Sequence, residues 1–315
     1  MRIEWKPAIG LCGIHAAVSV HLGLTLVDAT LHAPVDALVK QLNERLSTVD
    51  LETGVFWKSL ASMVAENEKI RDGELAEDAL QAAGCSEFAI DSMAPAVATM
   101  LVDLRDVFQQ KFPKLHEQLQ LRSGPLRSQV ESFAPGLQHQ IAGHTIPIAK
   151  PNRLTVWMVH PACGGGGDVP ASSETSLNNA SNRKLKFWFE TVLTNINLQL
   201  PETLRFAYLT TLAALADMEN RWVPSPRLRP LLRWALVPVV LSAGQQLDLI
   251  TTPIDAPMIA DAIKLWNGGT PQALAANSNA ALLQSWWDQA TENQMPWPVA
   301  IKALDHMLGS NQVAQ

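Results

Sequence analysis

The sequence predicts an α+β fold that is mostly helical, with a small mixed β-sheet in the middle packed on a buried central helix. Three observations carry this expectation. Apolar residues recur at helical spacing from Val35 to Phe108. Two segments, RLTVWMV (Arg153–Val159) and KLKFWFETVLT (from Lys184), are β-branched or aromatic and alternate with a period of two. One segment, Phe206 to Leu215, is apolar nearly all round, as a helix buried on several sides must be.

The elements follow in order. PVDALVKQLNERL sets Val35, Leu38, Val39, Leu42 and Leu46 on one stripe, with Pro34 at its start. FWKSLASMVAENEKI repeats the pattern through Leu60, Met63, Val64 and Ile70. GELAEDALQAAGC is a short helix closed by Gly84. PAVATMLVDLRDVFQQKF carries Val97, Met100, Leu101, Leu104, Val107 and Phe108, and Pro113 stops it. KLHEQLQLRS and PLRSQVESF then read as two short helices divided at Gly124-Pro125, and HQIAGHTIPI as a weak strand before the two strong ones. LPETLRFAYLTTLAALADMENRW is the central helix, with Pro201 and Glu202 placed for its first turn. The remainder is helical: SPRLRPLLRWAL, VPVVLSAGQQLDLI, DAPMIADAIKLWNGG, AALLQSWWDQA and PVAIKALDHMLG. This divides the chain into an N-terminal helical domain (1–112), a middle α+β domain (113–250) and a C-terminal helical cap (251–315).

Bulk properties exclude several classes. Of the 315 residues 47% are hydrophobic and 17% charged, which suits a protein with a real core and not a disordered chain. The net charge of −6 and the lack of a Lys/Arg cluster argue against nucleic acid. Cys12, Cys85 and Cys163 are odd in number and far apart, which favours a reducing, cytoplasmic setting. The opening MRIEWKPAIGLCGIHAAVSVHLGLTL is interrupted by Glu4, Lys6, His15 and His21, and reads as ordinary folded chain, not a signal peptide. WALVPVVLSAG is half a membrane span and contains Pro238, so no membrane partner is expected. The sequon Asn179-Ala180-Ser181 matters only in a secreted setting.

The motif that invites a chemical reading is HPACGGGGDVP, His160 to Pro170, followed by a Ser/Asn run. A phosphate loop needs a helix opening directly after it; here Gly167 leads to Asp168 and on to a strand. The loop therefore reads as a mobile connection along a sheet edge. Cys163 with His160 three residues before it would point to opposite faces of a strand end. His116-Glu117 starts like HExxH, but position 120 is Gln. His139 and His144, and His15 and His21, lack chelating spacing, and the carboxylate pairs Asp217/Glu219 and Glu66/Glu68 do not share a helix face. Trp286, Trp287 and Trp297 fit core or a partner interface. No catalytic, cofactor-binding or metal-binding residue is assigned, and no cofactor.

The order of parts from Pro113 to Leu249, with a strong strand, a Gly-rich loop, another strand, a buried helix after LPET and the later VPVVLSAGQQLDL, resembles the catalytic domain of gluzincin-type zinc metallopeptidases. The resemblance implies a central helix carrying HExxH and a later helix supplying a glutamate ligand. LRFAYLTTL offers Arg205, Phe206, Ala207, Tyr208 and Leu209 instead, and Gln245 and Gln246 stand near the third ligand's place. It therefore implies a metallopeptidase-like domain without its HExxH motif: a non-catalytic protein acting in binding or scaffolding, with a protein or peptide partner. Two alternatives are a hydrolase built from His139, His144, His160 and Cys163, and a structural protein associating through the Trp-rich C-terminal helices.

Overall fold

The computed structural model describes residues 2–67, 69–146, 153–170, 184–192, 199–222, 229–266 and 279–313. The described elements run β1 (Arg2–Pro7), α1 (Ile9–His21), α2 (Ala29–Leu46), α3 (Thr53–Glu66), α4 (Asp72–Ala82), α5 (Glu87–Lys111), α6 (Leu115–His144), β2 (Arg153–Val159), β3 (Gly167–Asp168), β4 (Lys184–Glu190), α7 (Glu202–Trp222), α8 (Arg229–Gln246) and α9 (Ala256–Trp266), then α10 (Ala280–Glu292) and α11 (Trp297–Val313). The α+β expectation holds: the protein is mostly helical around a four-stranded mixed sheet.

The sheet order is β1-β2-β4-β3. β1, β2 and β4 are parallel, with Val156 opposite Trp5 and Phe187, and the two-residue β3 pairs antiparallel to β4 at the edge. Parallel strands bury both faces, so helices must cover both. Leu154, Val156, Leu185, Phe187 and Phe189 face a core shared with α7 to α11. Trp157, Val159 and Trp188, at the opposite parity, join the core of α1 to α5. The sheet is thus the partition between two helical layers.

β1 escaped the sequence reading. RIEWKP is short, and its alternation of Ile3 and Trp5 with Glu4 and Lys6 is diluted by charge; it forms because β2 offers a parallel edge. It also ties the first residues of the N-terminal region to the middle of the chain. A second difference is α6, one helix of 30 residues running through Pro125 and Pro135 where two short helices were expected. Leu119, Leu126, Val130, Ala134, Leu137 and Ile141 form one stripe along it, and this burial outweighs the lost backbone hydrogen bonds. The same stripe holds 139–144 helical, so the weak strand expected from HQIAGHTIPI is not formed there; Pro147 and Ile148 lie outside the described residues. α6 spans both layers, with Leu115 and Leu119 in one core and Leu126 to Ile141 in the other.

α2 likewise starts at Ala29, ahead of Pro34, because the Asp28 carboxylate accepts from the Thr30 amide as an N-cap. SPRLRPLLRWAL and VPVVLSAGQQLDLI merge into α8, which contains Pro238; residues 225–228 lie outside the described set. The central helix α7 is as expected: every side chain from Thr203 to Leu215 is buried. Among the described residues no helix is long and apolar enough to cross a membrane.

Candidate functional site

The carboxyl ends of β1, β2 and β4 lie at one edge of the sheet, the edge where ligands bind in open parallel sheets. β2 ends in Val159 and runs into HPACGGGG; β4 ends in Glu190; β1 ends in Pro7 and turns into α1.

Glu190 is fully buried, at 0% exposure, on the Trp188 side of β4. A buried carboxylate must be compensated, and four donors converge on it. His15 Nε2 of α1 lies 2.7 Å from Oε1 and is the donor, because an ionised carboxylate only accepts. The Cys163 amide donates at 3.0 Å, Gly165 at 2.8 Å and Gly166 at 3.0 Å. Burial works to raise the Glu190 pKa, but the His15 hydrogen bond and charge and the loop amides outweigh it and hold it at about 2.

The glycine loop is therefore an anion cradle, and the anion is the chain's own side chain. Gly164 (φ 85°) and Gly165 (φ 153°) adopt backbone angles that L side chains rarely adopt, which turns successive amides inward as in an anion-binding nest. Gly167 allows close approach: a Cβ there would stand 2.6 Å from Leu209 and from the Trp188 carbonyl. This corrects the reading of Gly164–Gly167 as a mobile connection. The Ser/Asn run at 171–183, with Asn179, lies outside the described residues.

Arg205 closes the arrangement from below. It is 2% exposed on α7 and donates to the Gly166 carbonyl (2.9 Å), to the Glu190 backbone carbonyl (2.7 Å) and to the Glu202 carboxylate. Its guanidinium lies 3.8 Å from the centroid of the Phe189 ring. Burial raises the Glu202 pKa, with the Arg205 charge opposing it. On the same edge Arg122 of α6 donates to the Thr191 carbonyl at 3.1 Å. The position where the metallopeptidase resemblance implied a zinc-binding helix thus carries a cation that staples loop, strand and helix.

The histidines and cysteines separate onto the two sides of the sheet. His144 stacks edge-on to Trp287 in the α7–α11 layer. His160 lies on the opposite side, between Phe112 (4.2 Å between centroids) and Phe108 (6.2 Å), with its amide donating to Cys12 Sγ. His139 is on α6, two residues past Leu137. His139 and His144 are thus not brought together with His160 and Cys163. Burial first, and the Glu190 charge second, push the Cys163 thiol up to about 12, so it is a poor nucleophile. His116 lies at the rim of the groove described below. Gln245 bonds the Thr252 carbonyl at the surface. Trp286, Trp287 and Trp297 are all buried, at 1%, 7% and 3% exposure, and so present no aromatic platform. Glu68 and the side chains of Asp217 and Glu219 lie outside the described residues. Among the described residues no three His, Cys, Asp or Glu side chains are grouped to hold a metal.

Burial and then the Arg122 charge pull His160 down to about 4 from an ordinary 6.5. The unfolded chain takes up that proton near pH 6.5 and the folded chain only near 4. Stability is therefore full above this window and falls as pH drops through it, by up to about 3 kcal/mol. Urea unfolding at pH 7 and pH 4.5 checks this: His160→Gln is expected to lose less stability between the two than the parent does. An equal loss would contradict it.

Beside the Glu190 knot an open groove of about 900 Å³ lies between the carboxyl end of β1, α1, α3, α4, α5 and the start of α6. Phe108 and Phe112, which sandwich His160, form part of its wall. Glu190, His15, Arg205 and this groove were all missed in the sequence. One signal was present: a glutamate at the end of a strand directly after Phe187, Trp188 and Phe189, three residues that suit burial on both faces.

No protein-family model matches the chain, and no curated protein or solved structure matches it either.

Proposed function

We propose that this protein is a non-catalytic binding or scaffolding protein whose ligand or partner enters the groove at the carboxyl end of β1. The observation that carries the reading is the contrast between two neighbouring features. The polar centre at Glu190 is closed: its carboxylate spends its hydrogen bonds on His15 and the glycine loop. A general acid or base must reach a substrate and titrate near working pH, and Glu190 does neither. The groove beside it is open and of a size that suits a ligand.

The metallopeptidase-like part of this proposal rests on element order alone; α7 packs beneath β4 and carries Arg205 within LRFAYLTTL, the stretch in which the resemblance implies metal ligands. The three free cysteines, two of them buried, fit a reducing cytoplasmic setting. Metal analysis of the purified protein tests the reading. The expected result is zinc well below one equivalent after dialysis against a weak chelator. Stoichiometric, tightly held zinc would overturn it.

A further inference from the structure

We infer that the groove accepts a small organic anion with an apolar body, a medium-chain carboxylate being the simplest case. This rests on the binding reading above and adds the class of ligand. The floor is apolar: Ile14, Val64, Leu101, Leu104 and Phe108 line it, all of them buried. Its charged groups gather on one side. Lys69 and Arg71 stand just before α4, and Arg105 of α5 faces them across Asp72, with which it is paired. The described lining residues therefore carry three cations against one carboxylate, on a chain whose net charge is −6. Arg105 is engaged by Asp72. Lys69 and Arg71 are exposed beside the apolar floor, and neither forms an ion pair within 4.0 Å among the described residues.

The arrangement matches an amphipathic anion on both counts. An apolar tail against Val64, Leu101 and Phe108 gains the transfer free energy of its methylenes, and an anionic head at Lys69 and Arg71 gains charge-assisted hydrogen bonds. A cationic head would meet repulsion at the same place. A purely inorganic anion would leave the apolar floor wet. The site also has the location expected of a ligand in a parallel sheet, since Pro7 at the carboxyl end of β1 lines it.

Isothermal titration calorimetry with three probes on the full chain tests this: decanoate, decyltrimethylammonium and inorganic phosphate. Decanoate is expected to bind saturably at one per chain. The double variant Lys69→Gln/Arg71→Gln changes only exposed side chains and leaves the Arg105–Asp72 pair intact. It is expected to weaken decanoate on the order of tenfold or more. Decyltrimethylammonium and phosphate are expected to bind at least tenfold more weakly than decanoate. Three results overturn the inference: no saturable decanoate binding, unchanged decanoate binding in the double variant, or equal binding of the ammonium probe. The last would leave the groove as a binding site while removing the anion, and none of the three bears on the zinc measurement that tests the functional reading.

Discussion

Glu190→Ala is expected to lower stability by about 3–5 kcal/mol, the cost of breaking a buried charged network by removing one partner. Three loop amides and His15 Nε2 would lose their acceptor together, in a place that water does not reach in the native fold. Native proteins are stable by about 5–15 kcal/mol, so the change takes at least about a fifth of the total. Guanidinium unfolding gives the size. Amide hydrogen exchange at Cys163, Gly165 and Gly166 gives the place, because these amides are expected to lose protection ahead of the sheet. Glu190→Gln keeps the volume but turns an NH₂ toward one of the donors, so it is expected to fall between the parent and Ala. A change below about 1 kcal/mol in Glu190→Ala, within the range of an ordinary surface substitution, would show that the cradle holds nothing.

Arg205→Met is expected to cost a similar amount, about 3–5 kcal/mol, by the same physics with the sign of the charge reversed. Methionine fills much of the aliphatic volume and can keep contact with Phe189, so the loss isolates the guanidinium. The Gly166 and Glu190 carbonyls and the Glu202 carboxylate would each lose a donor. Burial already raises the Glu202 pKa, and without Arg205 opposing it the group moves further toward the neutral acid. Because Arg205 and Glu190 brace the same loop, the double variant is expected to lose less than the sum of the two single losses; strict additivity would mean the sites are independent.

The helical framework was legible in the sequence because its signal is local. The stripes of α2 to α5, the alternation in β2 and β4, and the all-round apolar face of α7 each lie within one segment and survive in the structure. What failed was set by distant partners. Gly124-Pro125 reads as a break, yet the buried stripe from Leu119 to Ile141 carries α6 through it. Arg2–Pro7 is too short and charged to announce a strand until β2 pairs with it. In β4 the alternation placed Glu190 on the face opposite Phe189, but not that α1 covers that face: His15 stands 175 positions away. The glycine loop lacks the following helix that phosphate loops need. Here the amides come from the loop itself, and the anion is supplied 24 to 27 residues later by the same chain. The groove was invisible for the same reason, since its walls come from six separate elements.

The titration of Glu190 itself tests the central claim most directly. Carbon-13 chemical shifts of the glutamate side-chain carboxyls, assigned by the loss of one resonance in Glu190→Gln, can be followed from pH 8 downward. With His15 and the loop amides holding the charged form, the Glu190 carboxyl is expected to stay ionised down to the pH at which the protein unfolds, below the 4.5 of an ordinary glutamate. Its contribution to stability is then present above 4.5 and lost as pH falls toward 2. A carboxyl that instead titrates between pH 5 and 8 would be poised for proton transfer, and would contradict both the closed cradle and the non-catalytic reading built on it.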